Sequence, residues 1–181
     1  MTTTTFDNSA ANVFAATPMP KSGLLLMEVT SFDPWRRKLT EILGAINNRS
    51  SNRYSAETLM AALEANYYAS PTDHLILLCV DMARAQQVDD IQDAVVGFCG
   101  VDVFIDHVGT EFATLTYGWV APGYRTRPVE KALMLIESWA RARGLSRLLS
   151  FTERSTEAYA RWIGRWGYRQ RETVFEKELR P

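Results

Sequence analysis

The chain has 181 residues, of which 46% are hydrophobic and 23% are charged. These proportions are typical of a globular domain with a hydrophobic core, and they exclude a protein that is disordered throughout. No apolar run approaches the roughly 18–20 residues of a membrane-spanning helix, and no signal-peptide pattern follows Met1. We therefore expect a cytoplasmic protein without a membrane partner.

The net charge of −1 hides an asymmetry along the chain. Residues 1–120 hold seven Lys or Arg and fourteen Asp or Glu, a balance of −7, whereas residues 121–181 hold thirteen and seven, a balance of +6. The basic end can meet the phosphates of coenzyme A or of nucleic acid, or it can face the acidic half. The cations are interspersed with acids on predicted helices, so nucleic acid is the less favoured partner.

Residues 1–22 are polar, rich in Thr, Ala and Asn, and show neither a strand nor a helix period. This composition predicts an N-terminal arm that precedes one domain over residues 23–181. A partner subunit is a natural contact for such an arm, so we expect a homo-oligomer or a larger assembly.

The remaining elements follow the order βααβββαβαβ. Apolar or alternating runs predict strands at residues 23–30, 74–81, 94–105, 112–120, 146–151 and 173–179. Apolar residues at helical spacing predict helices over residues 33–46, 55–70, 127–143 and 155–166. Cys79 and Cys99 lie inside strand-like runs, which predicts buried, reduced thiols.

Two local motifs resemble those of the GNAT superfamily of acetyl-CoA-dependent acetyltransferases. Residues 119–125 are WVAPGYR, similar to the family's V-x-P-x-Y-R, and the next helix ends in WARARG, similar to WA-x-x-x-G. Residues 156–168, TEAYARWIGRWGY, resemble N-x-x-A-x-x-F-Y-x-x-x-G-F. Together with the element order, the resemblance implies an α/β (α+β) fold in which helices flank a mixed central sheet.

The family's coenzyme A turn, Q/R-x-x-G-x-G/A, corresponds here to residues 125–130, RTRPVE, which we call the phosphate turn. In the family, its backbone N–H groups and the helix dipole bind the diphosphate. Pro128 replaces the first glycine and removes an N–H, and Glu130 replaces the second with a carboxylate. The same residues also form an ordinary helix start. The resemblance implies that Val120, Arg125, Thr126 and Arg127 would form weak contacts with the cofactor. It implies acetyl-CoA as the cofactor only if the protein is active.

The family's catalytic tyrosine, which protonates the departing thiolate, lies five residues before the aromatic of G-F. The matching residue here is Ile163, which has no proton to give. Tyr159 lies one turn earlier and is the remaining candidate, although a tyrosine beside Trp162 also suits core packing. Gly118 predicts the β-bulge that the family places in this strand.

A general base is harder to assign. Glu111, Asp102 and His107 lie on or beside a predicted hairpin, and His107 is expected to be exposed. His74 opens a strand and is expected to be structural. Neither histidine has a carboxylate or cysteine neighbour that would predict a metal site or a triad.

Three functions remain open. The favoured one is a non-catalytic structural or assembly module, supported by Pro128, Glu130, Ile163, the arm and the aromatic last helix. Its last helix and strand loosely resemble GNAT-like virion-associated proteins of short-tailed bacteriophages, so a virion location is an option. The alternative is an active N-acetyltransferase acting on an amine. A third class is a nucleic-acid binder that uses Arg125, Arg127, Arg141, Arg143 and Arg147.

Overall fold

The computed structural model describes residues 23–48, 54–124, 127–150 and 156–170. Within these ranges the strands form one sheet in sequence order. Neighbouring strands are antiparallel except for the last pair, which is parallel. The strands are β1 (Leu24–Glu28), β2 (His74–Asp81), β3 (Val95–Ile105), β4 (Glu111–Val120) and β5 (Leu148–Ser150). The predicted arm and the predicted strand at 173–179 lie outside the described residues.

The helices lie close to their predicted positions, with one addition. They are α1 (Arg36–Asn47), α2 (Ala56–Ala69), α3 (Met82–Ala85), α4 (Arg127–Ala142) and α5 (Thr156–Ile163). The helix expected from Asp33 begins instead with a 3-10 turn, Asp33–Trp35. The short α3 was not predicted; the Asp81 carboxylate accepts from the backbone N–H groups of Ala83 and Arg84 at its start. None of the helices in the described ranges is long and apolar enough to cross a membrane.

Helices cover both faces of the sheet. One core lies between the sheet and α1–α2, where Leu39, Ile42 and Leu43 are fully buried against strand residues such as Ile76 and Leu78. The other lies beneath α4. Its helical side consists of Ala132, Ile136 and Ala140, which pack against Leu75, Leu77, Cys99 and Val101. Each fully buried Leu or Ile stabilises the fold by roughly 1.5–3 kcal/mol.

Most of the predicted buried faces are correct. Val129, Ala132, Leu133, Ile136, Trp139 and Ala140 are the predicted α4 face, and all six are buried or half-buried. In α2, however, Met60 takes the buried place that was predicted for Ala62, which is exposed. Met60 lies two positions before Ala62 and therefore on another side of the helix, the side that Leu63 and Tyr67 bury in the core.

The β3–β4 hairpin forms at the predicted place. The Asp106 carboxylate accepts from the backbone N–H groups of Val108 and Thr110 and from Arg147, 2.6 Å away. The bond from the Thr110 N–H, followed by those from Arg147 and Val108, lowers the pKa of Asp106. His107 at the tip is exposed, as expected.

Candidate active site

Strand β4 contains a β-bulge at Thr116. Gly100 of β3 lies opposite Tyr117 and Val101 lies opposite Leu115, so Thr116 is the extra residue. Gly118 pairs regularly with Cys99, and the prediction of a bulge at Gly118 was therefore wrong. The glycine that the bulge requires is on the partner strand, because a Cβ on Gly100 would lie 2.8 Å from the ring of Tyr117.

A hydrogen-bonded chain of side chains crosses three strands at this bulge. Nδ1 of His74 on β2 lies 2.6 Å from Oδ1 of Asp102 on β3. The hydroxyl of Thr116 donates to Oδ2 of the same carboxylate at 2.6 Å. His74 and Asp102 side chains are only 15% and 19% exposed. An ionised carboxylate only accepts, so Nδ1 carries a proton and, in the neutral ring, Nε2 remains able to accept one.

The expectation that His74 has no carboxylate neighbour was wrong. His74 and Asp102 are 28 residues apart in sequence, and the antiparallel register of β2 and β3 places them opposite each other. By strand alternation they share the sheet face of Ile76 and Leu78. A regular alternation cannot fix which residues of two strands are partners, so only the register reveals this pair.

Thr114 lies beside these hydrogen-bonded side chains. We call the four residues together the polar stripe: His74, Asp102, Thr114 and Thr116. Thr114 lies directly opposite Asp102, and its side chain is on the same face. The residue is 3% exposed, and its hydroxyl has no hydrogen-bond partner among the described residues. Such a buried hydroxyl costs roughly 1–3 kcal/mol unless something satisfies it, so Thr114 is an unsatisfied polar group within this face.

The start of α4 has the opposite character. Pro128 is buried, and a Cβ on Gly97 of β3 would lie 2.7 Å from the Pro128 Cβ and 3.1 Å from the Cys79 Cβ. The space between this end of α4 and the sheet is too small for a water molecule. It is lined by Leu26, Leu77, Phe98, Trp119 and Val129, besides Pro128 and its neighbours.

The connection from β4 to α4 is held at two points. The Ala121 N–H donates to the Val96 carbonyl at 2.9 Å, next to the Val120–Gly97 pair. The Tyr124 hydroxyl donates to Oδ2 of Asp81 at 2.7 Å. This hydrogen bond is the largest cause that lowers the pKa of Asp81. Arg125, Thr126 and the side chain of Arg127, which were predicted to contact a cofactor, lie outside the described residues.

The two cysteines are buried and free, as predicted. Burial raises the pKa of Cys79 to about 11 and that of Cys99 to about 12. Both thiols are therefore protonated near neutral pH and are poor nucleophiles.

On α5, the position of the family's catalytic tyrosine belongs to the core, since Ile163 is 6% exposed. The Tyr159 hydroxyl is hydrogen-bonded to the Ser150 hydroxyl at the end of β5, and its ring lies 5.6 Å from that of Trp162. The Tyr168 hydroxyl is buried without a partner among the described residues, and burial is the main cause that raises its pKa. A catalytic role for Tyr159 stays a prediction.

No family model and no curated protein matches the sequence. Glucosamine-6-phosphate N-acetyltransferase from Arabidopsis thaliana superposes with a TM-score of 0.64 at 10% identity, over 87% of this chain and 99% of that one. A GNAT family acetyltransferase from Staphylococcus aureus superposes with a TM-score of 0.57 at 12% identity, over 86% and 98%. The chain has the fold of the GNAT acetyltransferases.

A third neighbour with the GNAT fold is AAC(6')-Iy, whose structure contains the bisubstrate analogue CoA-S-monomethyl-acetylneamine. It superposes with a TM-score of 0.64 at 13% identity, over 88% of this chain and 100% of that one. At such identities the likeness shows the fold, and the residues of this chain must decide whether it fits a coenzyme.

Two described residues at the start of α4, Pro128 and Glu130, differ from the glycines that the GNAT resemblance implies for diphosphate binding. Pro128 has no N–H to donate, and its ring is part of the core against Gly97. Glu130 places a carboxylate in the first turn, where the helix dipole would otherwise favour a phosphate. At the bulge, in contrast, half-buried His74 and Asp102 are hydrogen-bonded to each other.

Proposed function

We propose that this protein is a GNAT-fold module that has lost acetyl-CoA-dependent catalysis and serves in a protein assembly, of which a phage virion is one example. The burial of Pro128 against Gly97 carries the proposal. A residue that replaces a phosphate-binding glycine and also fills the core has acquired a different role.

The interaction energies that Pro128 and Glu130 change are large enough to weaken binding of the coenzyme diphosphate. A hydrogen bond to a charged group contributes roughly 1.5–3 kcal/mol, so a missing N–H weakens phosphate binding by about ten- to a hundredfold. A carboxylate about 5 Å from a phosphate adds a repulsion of roughly 1 kcal/mol at a wet surface. Together, these terms move a micromolar ligand towards the millimolar range.

The experiment is a calorimetric titration of the full chain with acetyl-CoA. We expect no binding below about 1 mM for the wild type. The double variant Pro128→Gly, Glu130→Gln restores an N–H and removes the charge, and should bind at least about tenfold more tightly. Micromolar binding by the wild type would overturn the proposal.

A second candidate, an N-acyltransferase acting on an amine, is favoured by one observation, the His74–Asp102–Thr116 chain at the bulge. Nε2 of His74 could take a proton from an amine bound on this face. Asp102 would hold the ring and stabilise the imidazolium, while Thr116 fixes the carboxylate.

The chain contains only two histidines, which gives this candidate a matched control. His74→Gln and exposed His107→Gln are compared for release of free thiol from acetyl-CoA in the presence of primary amines. The acyltransferase candidate requires wild-type turnover that His74→Gln lowers about a hundredfold or more while His107→Gln does not. Absence of wild-type turnover supports the module.

A further inference from the structure

An apolar groove runs between the edge strand β1 and helix α4. Its volume is about 420 Å³. The walls are the side chains of Leu24 and Leu26 from β1 and of Lys131, Met134, Leu135 and Ser138 from α4. Met134 is 69% exposed, which is high for a methionine that borders a groove. We call this feature the β1–α4 groove.

Among the described walls of the groove, Lys131 is the single ionisable residue, and its Nζ donates to the Leu24 carbonyl at 2.9 Å. That bond joins α4 to the edge strand and leaves leucine and methionine surface above it. A groove of this kind suits an uncharged apolar segment rather than an anionic or polar ligand.

We propose that residues 11–16 of the same chain, ANVFAA, occupy the β1–α4 groove, with Phe14 as the anchor. These residues carry no charge, whereas the arm as a whole contains only Asp7 and Lys21 as charged side chains. Phe14 combines a large apolar surface with little conformational freedom, which favours it as the residue that fills the groove.

The point where the arm joins the domain supports this occupant. Residue 22 is followed by Gly23 and then by Leu24, which is itself a wall of the groove. Gly23 has φ of +93°, a conformation that lets the chain turn sharply as it enters β1.

The arm is also long enough to reach the β1–α4 groove. Phe14 is nine residues before Gly23, and an extended segment of that length reaches about 30 Å. The groove follows α4 from Lys131 to Ser138, which is about 10 Å of helix. The arm is long enough to turn back and lie along it.

The arm of the same chain and the arm of a second copy could each occupy the β1–α4 groove, and the covalent tether favours the arm of the same chain. A segment attached a few residues from its site has an effective concentration in the millimolar range. Another copy at micromolar concentration competes poorly unless the tether cannot reach. This inference is independent of whether the protein binds acetyl-CoA.

The test uses engineered cysteines in the full chain. Cys79 and Cys99 do not interfere, because both are buried. The variant Phe14→Cys, Met134→Cys should form a disulfide within one chain under mild oxidation, detected by mass and by a shift in mobility on a denaturing gel. The matched variant Phe14→Cys, Val108→Cys, with its second cysteine at the exposed hairpin tip, should not.

A mixture of the two single variants, Phe14→Cys and Met134→Cys, identifies the source of the arm. The proposal expects no disulfide-linked dimer from the mixture. A dimer would overturn it in favour of arm exchange between copies, and absence of any disulfide in the double variant would also overturn it.

A second measurement does not depend on oxidation. Phe14→Asp should increase the fluorescence of the apolar dye 8-anilinonaphthalene-1-sulfonate several-fold by opening the groove. Phe6→Asp, in the same arm but outside residues 11–16, is the control and should leave the signal unchanged. Equal effects of the two variants would contradict the assignment of residues 11–16.

Discussion

The bulge of β4 and the start of α4 follow each other along the chain, yet they have opposite chemistry. At the bulge, Asp102 accepts hydrogen bonds from His74 and Thr116 on the neighbouring strands. At the start of α4, Pro128 fills a dry gap against Gly97. The same sheet therefore has a polar cluster and a dry apolar contact close together, and a polar stripe alone is no proof of activity.

The largest effect on stability is expected at the polar region. Asp102→Ala should lower the free energy of unfolding by about 3 kcal/mol, because half-buried His74 and the Thr116 hydroxyl both lose their hydrogen bond to a charged acceptor. Urea denaturation at pH 7 measures this loss. Exposed Asp89→Ala is the control and should change stability by less than about 0.5 kcal/mol. If Asp102→Ala lowered the free energy of unfolding no more than Asp89→Ala does, the hydrogen bonds of Asp102 would contribute nothing to stability.

A smaller effect is expected at the apolar region. Gly97→Ala should destabilise the protein by about 2 kcal/mol, since its Cβ would overlap Pro128 and press on Cys79. Gly118→Ala is matched to it, because a Cβ there meets nothing within 4 Å, and it should change stability by less than about 0.5 kcal/mol.

The contact between Gly97 and Pro128 is isolated by a double-mutant cycle. Adding Pro128→Gly to Gly97→Ala should recover part of the lost stability, with a coupling of about 1 kcal/mol. Strict additivity of the two substitutions would contradict direct packing of Pro128 on β3.

The smallest effect on stability is expected at the connection from β4 to α4, where the Tyr124 hydroxyl donates a hydrogen bond to Asp81. The folded-state pKa of Asp81 lies below its unfolded value, so its contribution is present above about pH 4 and is lost as the pH falls through the folded value. Tyr124→Phe should therefore cost about 0.5 kcal/mol at pH 7 and less near pH 3. Urea denaturation at the two pH values checks this; a cost that grows towards acid pH would have the wrong sign.

Local sequence patterns predict the elements of this fold. The apolar face of α4 follows directly from residues such as Ala132 and Ile136, because helical spacing is a property of the helix alone. The ends of α4 and of the last helix are likewise predicted by Gly144 and Gly167, which adopt φ of +74° and +82°.

Features that depend on two distant segments could not be predicted in this way. The His74–Asp102 pair needs the register of β2 and β3, and the bulge is fixed by the space that Gly100 leaves for Tyr117 rather than by Gly118. Pro128 was assigned to a helix start correctly, but its contact with Gly97 becomes visible only when α4 is docked on the sheet.

The central proposal is that the start of α4 does not provide a diphosphate site. It is tested most directly by calorimetric titration of the full wild-type chain with coenzyme A and, separately, with pantetheine, which lacks the diphosphate. The account predicts that coenzyme A binds no more than about threefold more tightly than pantetheine, or that neither binds at about 1 mM. A preference for coenzyme A of a hundredfold or more, about 2.7 kcal/mol, would show a working phosphate site and contradict the account.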